Sequence, residues 1–493
     1  MHRWRRCVPA GEPGVRRMWG SIRPYAHIGP YLALLVPLVA LGYSVPLYLA
    51  LLAAFLLAAR GLWILRQTFV TDLRTALVVV LLLAVVTRGA MLLHDQDITR
   101  DMEKYVERSD HALSGRTPYE DFEVRKPPMY LYLGMGIASA FGPDIHAFRA
   151  FFVGADALVA IAVLLLGWRH RSPAVGAWAG VLYALCPLNI VAIGLSGHYD
   201  PIVVLLVTAG LMVHLSGGRY RALLLLGIAF SLKYYSAVLL PFLLLDRSWR
   251  ERTAGLALFL APFALSWLPL TLIDPGIPLR HTLGYQGGQW ASEAKKSFAY
   301  TVVEVSGTGG TAIVVSYIVT LVMLLVLLTF ILTAIVDRSH HRDPLTRFVV
   351  SLGRRLRRAL RMHDDRFHSS WLGAIIFLLL LYYGVVAVGA LHQYRDLIPF
   401  AWPWLALVLT VTYFPAMLAA YRRLRSRIDV PTPDGGARLL LDVTFALVLF
   451  LLALPNLTPW YLLWALPTVL VVSDLNHHAL LVLLPWNVPG RGP

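Results

Sequence analysis

Apolar runs of roughly 20 residues alternate with short polar stretches along nearly the whole chain, and an α-helix needs a run of about that length to cross a bilayer. The pattern predicts an all-α, polytopic membrane protein of about twelve transmembrane helices, with residues 1–493 forming a single integral membrane domain. The predicted spans are 28–45, 47–65, 73–93, 146–167, 174–194, 199–216, 253–272, 311–336, 371–391, 397–420, 439–455 and 457–473.

Two further apolar stretches do not fit a simple crossing. Residues 128–142 are short for a span, and we predict that they form an interfacial helix within the outer-face loop 94–145. Residues 222–245 are interrupted by Lys233 and lie between two basic segments that should share one side of the membrane. We predict a half-helix hairpin there, because broken helices at membrane depth are tolerated where they line a protein cavity and often mark a site in transporters.

Composition and charge support this class and set the orientation. The chain is 58% hydrophobic and 15% charged, whereas an average soluble domain is about 25% charged. The net charge of +16 does not indicate nucleic-acid binding, because the basic residues fall in short loops between apolar runs. Placing the N-terminus in the cytoplasm puts 30 of the 44 lysines and arginines on that side, as expected for cytoplasmic segments.

This orientation fixes the predicted location of each polar segment. Both termini are then cytoplasmic, with a basic tail at 1–27 and a basic loop at 337–370. The loops 94–145 and 273–310 are extracytoplasmic, and so are the turns SGHYD, HQYRD and NLTPWY. Polar motifs therefore converge on one membrane face, which suits a site that receives one lipid-borne and one polar substrate.

Several residues on that face are candidates for chemistry, although an isolated acidic residue or histidine is more often merely solvated or structural. Asp200 and Lys233 are candidates because charges at membrane depth are costly. Cys7 and Cys186 form neither a CxxC pair nor a disulfide framework, and the sequence contains no zinc or calcium motif. We therefore expect no metal or cofactor.

The first outer loop resembles that of a known enzyme superfamily. Asp101, Tyr105 four residues later, and the segment GRTPYEDFEVRKPP resemble the first luminal loop of GT-C glycosyltransferases. The similarity is greatest to polyprenyl-phosphate-mannose-dependent mannosyltransferases, such as the catalytic subunit of GPI mannosyltransferase I and its prokaryotic relatives. GHYDPIVVLL, LKYYSAVLLPFLL and NLTPWYLLWALP are similar to further segments of these families. Thr99 and Trp460 stand where those families often carry an acidic residue and a glutamine.

The resemblance implies a GT-C fold and transfer of a hexose, expected to be mannose, from a polyprenyl phosphate to the hydroxyl of a glycolipid or glycan. An acceptor hydroxyl needs a base, and Asp101 is the candidate for an inverting displacement. The leaving phosphate needs cations, and the candidates are Arg395, Lys233, Arg125 and Lys126. Candidate sugar or acceptor contacts are Asp97, Tyr105, His198, Asp200, Gln289, His392, Gln393 and Tyr461, and Trp464 is a further candidate for stacking.

Three alternatives remain open from the sequence. A lipid or glycan transporter or flippase could use Asp200 and Lys233 as an intramembrane charge pair, which would then lie near the midplane. A non-catalytic scaffold of an envelope-glycan complex would tolerate Asp101→Asn. An oligosaccharyltransferase-type GT-C enzyme usually carries a large soluble C-terminal domain, whereas this chain ends about 20 residues after its last predicted span.

Overall fold

The computed structural model describes residues 55, 72–93, 100–124, 126–245, 247–279, 309–337, 343–392, 402–428, 430, 434–454 and 459–473. These residues form helices and turns and contain no strand. Five of their helices are long and apolar enough to cross a membrane, or six if one bent pair is a single span. The all-α polytopic class is thus confirmed, whereas the number of twelve spans stays a prediction.

The longer helices lie in the predicted spans, the first outer loop, the hairpin segment and the basic loop 337–370. In chain order they are α1 (Leu73–Leu92), α2 (Arg100–Leu113), α3 (Pro128–Phe141), α4 (Ile145–His170), α5 (Pro173–Leu185), α6 (Asp200–Leu215), α7 (Arg219–Leu232), α8 (Trp249–Ile273), α9 (Gly309–Ile335), α10 (Pro344–Ala359), α11 (Phe367–His392), α12 (Trp402–Arg425), α13 (Gly435–Ala453) and α14 (Leu466–Val472). The predicted spans 28–45 and 47–65 lie outside the described residues, apart from Phe55.

Prolines break two of the expected spans. In the span predicted at 174–194, α5 ends before Cys186, whose backbone is extended because Pro187 follows it. The chain then continues as a π-helix over Ile190–Leu195, and the two halves meet at a bend of 41°. The span predicted at 457–473 is a 3-10 helix over Pro459–Trp464 followed by α14, which has a proline in its first turn.

The segment 222–245 reverses direction at Lys233. This residue is extended and ends α7, and a 3-10 helix over Tyr234–Leu239 follows it. The hydroxyl of Ser236 donates to the carbonyl of Leu226 at 3.0 Å, so the returning limb lies beside α7. The tip of this hairpin carries the lysine, and the predicted re-entry from one side of the membrane stays a prediction.

Helix α4 lies at the centre of the first half of the bundle. It packs against α1, α5 and α6, while α7 packs between α6 and α8. Glycines allow the closest of these approaches, since a Cβ at Gly227 of α7 would lie 2.3 Å from the carbonyl oxygen of Phe259 in α8. Helix α14 contacts α4, α5 and α13, and thereby joins the C-terminal segment to this half.

A buried charge network fixes α1, α4 and α5 to one another. Arg88 Nε donates to Asp156 Oδ2 at 2.7 Å, and the hydroxyl of Tyr183 donates to Asp156 Oδ1 at 2.7 Å. Arg88 also donates to the carbonyl of Tyr183 at 3.1 Å. Buried charges are tolerated when they are paired and hydrogen-bonded. We therefore interpret this group as structural, because its bonds hold α4 rigidly against α1 and α5.

Candidate active site

Eight of the residues selected from the sequence come together at one end of the bundle. They lie on the first two turns of α2, the loop before α3, the turn before α6 and its first residue, the tip of the hairpin and the 3-10 helix over Pro459–Trp464. They are Asp101, Tyr105, Lys126, His198, Asp200, Lys233, Tyr461 and Trp464.

The turn SGHYD is held against the start of α2. Gly197 has a φ of +72°, a conformation that favours glycine. A Cβ there would lie 2.3 Å from the terminal methyl of Met102 and 3.2 Å from Arg149, so no larger residue fits without displacement. The contact brings His198 close to Asp101, the neighbour of Met102 in α2. The positive φ and the close approach of these two site segments both favour glycine in this motif.

The loop before α3 is folded by its own polar residues. The backbone N–H of Thr117 donates to the carboxylate of Asp121 at 2.6 Å, which closes a tight turn. The hydroxyl of Tyr119 then donates to the carbonyl of Lys126 at 2.7 Å. These contacts explain the sequence TPYED in physical terms, because they fix the backbone from which the Lys126 side chain extends.

Lys126 points into a cluster of tyrosines. Its Nζ donates to the hydroxyl of Tyr105 at 2.9 Å. The same nitrogen lies 4.5 Å from the ring centroids of Tyr105 and Tyr199 and 5.1 Å from that of Tyr130. Aromatic faces attract cations, and among the described residues Lys126 has no carboxylate partner. It is thus a partly buried cation that forms no ion pair among the described residues, although Asp101 and Asp200 lie within electrostatic reach.

Lys233 is a second cation, and it is paired. Its Nζ donates to Asp200 Oδ1 at 2.6 Å, and the indole N–H of Trp464 donates to the same oxygen at 2.6 Å. The ammonium also lies 4.5 Å from the ring centroid of Tyr461 and 5.2 Å from that of Tyr199. Since both lysines lie close to the ring of Tyr199, their ammonium groups are less than about 10 Å apart.

Stacked aromatic rings form one wall beside Lys233. The rings of Tyr235 and Trp464 are nearly parallel, with centroids 4.2 Å apart and an interplanar angle of 5°. Tyr461 lies 4.4 Å from the Trp464 ring at an angle of 30°. Tyr235 and Trp464 are buried, whereas Tyr461 is partly exposed, so Tyr461 is the ring of this stack on which a sugar or an isoprenoid unit can pack.

Burial and mutual repulsion control the protonation of the loop residues. Burial, together with the charge of Lys233, lowers the pKa of Lys126 to about 7, against the attraction of Asp101 and Asp200. Burial lowers the pKa of His198 to about 4, although Asp200 and Asp101 act in the opposite direction. At neutral pH His198 is therefore uncharged, and Lys126 titrates within the physiological range.

Asp101 is the accessible carboxylate of the cluster. It lies in the first turn of α2 with its side chain exposed, within electrostatic reach of Tyr105, Lys126 and His198. Asp200, in contrast, is 1% exposed and is held by Lys233 and Trp464. Only Asp101 of these two can exchange a proton directly with a group that arrives from solvent.

The structure leaves several predicted site residues outside its described part. Asp97, Arg125, Gln289, Gln393 and Arg395 lie outside the described residues, and His392 ends α11 with its side chain outside them. The roles predicted for these residues stay predictions. Among the described residues there is no group of three or more His, Cys, Asp and Glu side chains that could hold a metal ion.

The sequence reasoning did not select three tyrosines of the cluster. Tyr130, Tyr199 and Tyr235 are each at most 4% exposed and surround the two lysines or stack on Trp464. The positions of Tyr199 in GHYD and of Tyr235 in KYY, near selected residues, were the available signal for these two. The three tyrosines come together only through the packing of helices that are spread over more than 100 residues of the sequence, and no local sequence pattern predicts this packing.

Trp464→Phe is expected to lower thermal stability without disrupting the stack on Tyr235. Phenylalanine keeps a flat ring but removes the donor to Asp200, and a hydrogen bond to a charged group contributes about 1.5–3 kcal/mol. The measurement is the midpoint of thermal unfolding in detergent. Trp371→Phe is the matched control, because the indole nitrogen of Trp371 is buried with no hydrogen-bond partner among the described residues. Equal shifts in both variants would contradict the role of the indole N–H.

Part of the chain is similar to a glycosyltransferase family. Residues 127–354 match the family model of glycosyltransferase family 87, which covers a little under half of the chain. The matched segment contains His198, Asp200 and Lys233, and it begins directly after Lys126. No curated protein and no solved structure matches the chain. The similarity supports a membrane glycosyltransferase of the GT-C type.

Proposed function

We propose that the protein is an integral membrane glycosyltransferase that moves a hexose from a polyprenyl-phosphate donor to the hydroxyl of a lipid-linked or glycan acceptor. One observation carries the proposal. Two desolvated lysines, Lys126 and Lys233, flank the ring of Tyr199, and the accessible carboxylate of Asp101 lies beside them. A phosphate leaving group and a hydroxyl nucleophile need this combination of cations and base.

The cations would bind the donor phosphate and stabilise the charge that develops on it. In the displacement, the acceptor oxygen forms a bond to the anomeric carbon while the bond from that carbon to the phosphate oxygen breaks. The electron pair leaves with the polyprenyl phosphate, and the acceptor proton passes to Asp101. Lys126 can meet the anion with an unpaired charge, whereas Lys233 must share its charge with Asp200. A single displacement on a β-linked donor would thereby invert the configuration at the anomeric carbon and give an α-glycoside.

Contacts to the sugar or the acceptor are proposed for the polar groups around the lysines. Asp200 Oδ2 is buried and has no hydrogen-bond partner among the described residues, which supports its use as an acceptor for a sugar hydroxyl. Tyr461 packs against Trp464 and can stack on a sugar ring. His198 and Tyr105 line the same cluster. Contacts from Asp97, Gln289, His392 and Gln393, and phosphate contacts from Arg125 and Arg395, are proposed from the sequence alone.

Mannose as the sugar, and an extracytoplasmic site, are finer parts of the proposal. Mannose rests on the motif resemblance of the first outer loop. The proposal of an extracytoplasmic site is based on the distribution of arginines. They concentrate at the opposite end of α6 and α7, in loops such as the one at Arg219. We propose cytoplasmic termini on the same ground, and no metal or other cofactor in the reaction.

The test is transfer of label from a panel of polyprenyl-phosphate sugars in sealed membrane vesicles of known orientation. We expect label from the mannose donor to enter the lipid or glycan fraction when the extracytoplasmic face is accessible, and no label from a nucleotide sugar. Transfer from an arabinose or glucose donor instead would contradict only the choice of sugar. An absence of transfer from every donor and to every acceptor fraction would refute the enzymatic function.

Transport of a lipid or glycan is the alternative that the same charges suggested. It requires the pair of Asp200 and Lys233 near the membrane midplane. Asp200 is the first residue of α6, and its partner lies at the tip of the hairpin, close to Lys126 in the loop before α3. This position favours the enzymatic function, and the vesicle assay separates the two because a transporter leaves the bond to phosphate intact.

The activity is expected to fall as the pH rises above about 7. Lys126 binds an anion only when protonated, and its lowered pKa of about 7 means that the charged form predominates below that pH. Donor kcat/KM should therefore decrease by up to about tenfold per pH unit on the alkaline side, since kcat/KM reports groups of the free enzyme. Lys126→Arg should remove this alkaline limb, because arginine stays charged throughout the range. A limb that is unchanged in this variant would exclude Lys126 as its origin.

A further inference from the structure

Helix α10 lies across the end of the bundle opposite the candidate active site. At its start, Arg252 of α8 binds the carboxylate of Asp343 with two hydrogen bonds of 3.0 and 2.9 Å. Near its end, Arg357 binds Asp337, just past α9, with two hydrogen bonds of 3.0 and 2.8 Å. Bidentate pairs of this kind fix orientation, so α10 is anchored at both ends along the surface.

One face of α10 is buried against the bundle and lies in close contact with the backbone of α9. A Cβ on Gly353 would lie 2.4 Å from the carbonyl oxygen of Leu332 in α9, so glycine permits this contact. Thr346, Val350 and Arg357, which recur at helical spacing with Gly353, are also buried. The rotation of α10 about its own axis is therefore fixed, and its other two faces are presented outward.

The second face is apolar and the third is basic. Phe348 and Leu345 are 66% and 47% exposed, and together with Leu352 they form a stripe at helical spacing. The remaining surface carries exposed arginines that make no ion pair within the described residues: Arg347, Arg354, Arg355 and Arg358, with Arg361 just past the end of the helix. Membrane topology explains basic residues on this side, but it does not explain exposed phenylalanine and leucine on an anchored helix.

We propose that α10 is a docking surface for anionic phospholipids of the leaflet on this side of the membrane. An amphipathic helix with an apolar stripe and a basic face lies in the membrane interface, with the stripe among the acyl chains and the arginines at the headgroups. The unpaired arginines complement negatively charged headgroups, and each basic residue near an anionic surface contributes to the attraction.

The test is fluorescence quenching at Leu345→Cys, labelled in a chain whose Cys7 and Cys186 are replaced. The protein is placed in nanodiscs that contain phosphatidylcholine or phosphatidylglycerol with brominated acyl chains. We expect stronger quenching by brominated phosphatidylglycerol than by brominated phosphatidylcholine. Replacing Arg354, Arg355 and Arg358 by glutamine should lower the apparent preference for the anionic lipid at least about tenfold.

A matched control removes the same number of charges elsewhere. Arg422, Arg423 and Arg425 end α12 and are exposed, and their replacement by glutamine should leave the preference measured at Leu345→Cys unchanged. Quenching by neither lipid would mean that chain or another protein covers the apolar face, and it would overturn the proposal. Equal quenching by both lipids, or equal effects of the two triple variants, would overturn the recognition of anionic headgroups. None of these outcomes depends on glycosyl transfer.

Discussion

Asp101→Asn is expected to reduce sugar transfer about 10²–10⁴-fold, which is the usual cost of losing a general base. Asparagine is nearly isosteric but cannot accept the acceptor proton. The side chain is exposed in the first turn of α2, so the substitution removes no buried contact. We expect the variant to insert normally and to bind donor lipid with unchanged affinity. The measurements are single-turnover transfer and binding of labelled donor.

Glu103→Gln is the matched control for this variant. Glu103 is exposed and shares the first turn of α2, but two residues along a helix point to different sides. It should retain full activity. If Asp97→Asn is inactive while Asp101→Asn is active, the base is the upstream carboxylate. If both variants retain activity, the resemblance of the first loop is misleading and a non-catalytic scaffold becomes the better explanation.

The apolar periodicity predicted the helices of the described part because it is a local property. Residues 73–93 and 146–167 match α1 and α4 within a few residues. The expected outer helix at 128–142 matches α3, since Pro128 starts the helix and Gly142 ends it. Breaks were harder to predict: the bend at Pro187 was missed, because a run of apolar residues gives no sign of where a proline is tolerated.

The site residues that carry a charge within apolar segments could be predicted from the sequence, because such charges are rare. The residues whose role depends on helix packing could not. Asp200 and Lys233 were selected because such charges are costly, and they form an ion pair. The relative importance of the cations could not be predicted. Lys126 was one of four phosphate candidates, and only the fold reveals that tyrosines from α2, α3 and the turn before α6 enclose it without a carboxylate partner among the described residues.

Lys126→Gln is expected to weaken donor use strongly, because Lys126 has no carboxylate partner among the described residues, whereas Lys233 is paired with Asp200. Glutamine can still bond to the hydroxyl of Tyr105 but has no charge. The interaction lost is the charge pair between Lys126 and the donor phosphate. Losing one member of a buried charge pair costs about 2–5 kcal/mol, so kcat/KM for the donor should fall about 30-fold or more. The effect should appear mainly in donor KM, with little change in acceptor KM. Lys104→Gln, on the exposed surface of α2, is the charge-matched control and should have no effect.

The stability of the same variant distinguishes a binding role from a structural one. Burying an ammonium group is unfavourable, and burial together with the charge of Lys233 lowers the pKa of Lys126. Removing the charge should therefore leave the midpoint of thermal unfolding unchanged or raise it, although the donor binds more weakly. A site that gives up stability for function shows this pattern. A lower unfolding midpoint with unchanged donor KM would identify Lys126 as part of the structural core and remove it from the phosphate site.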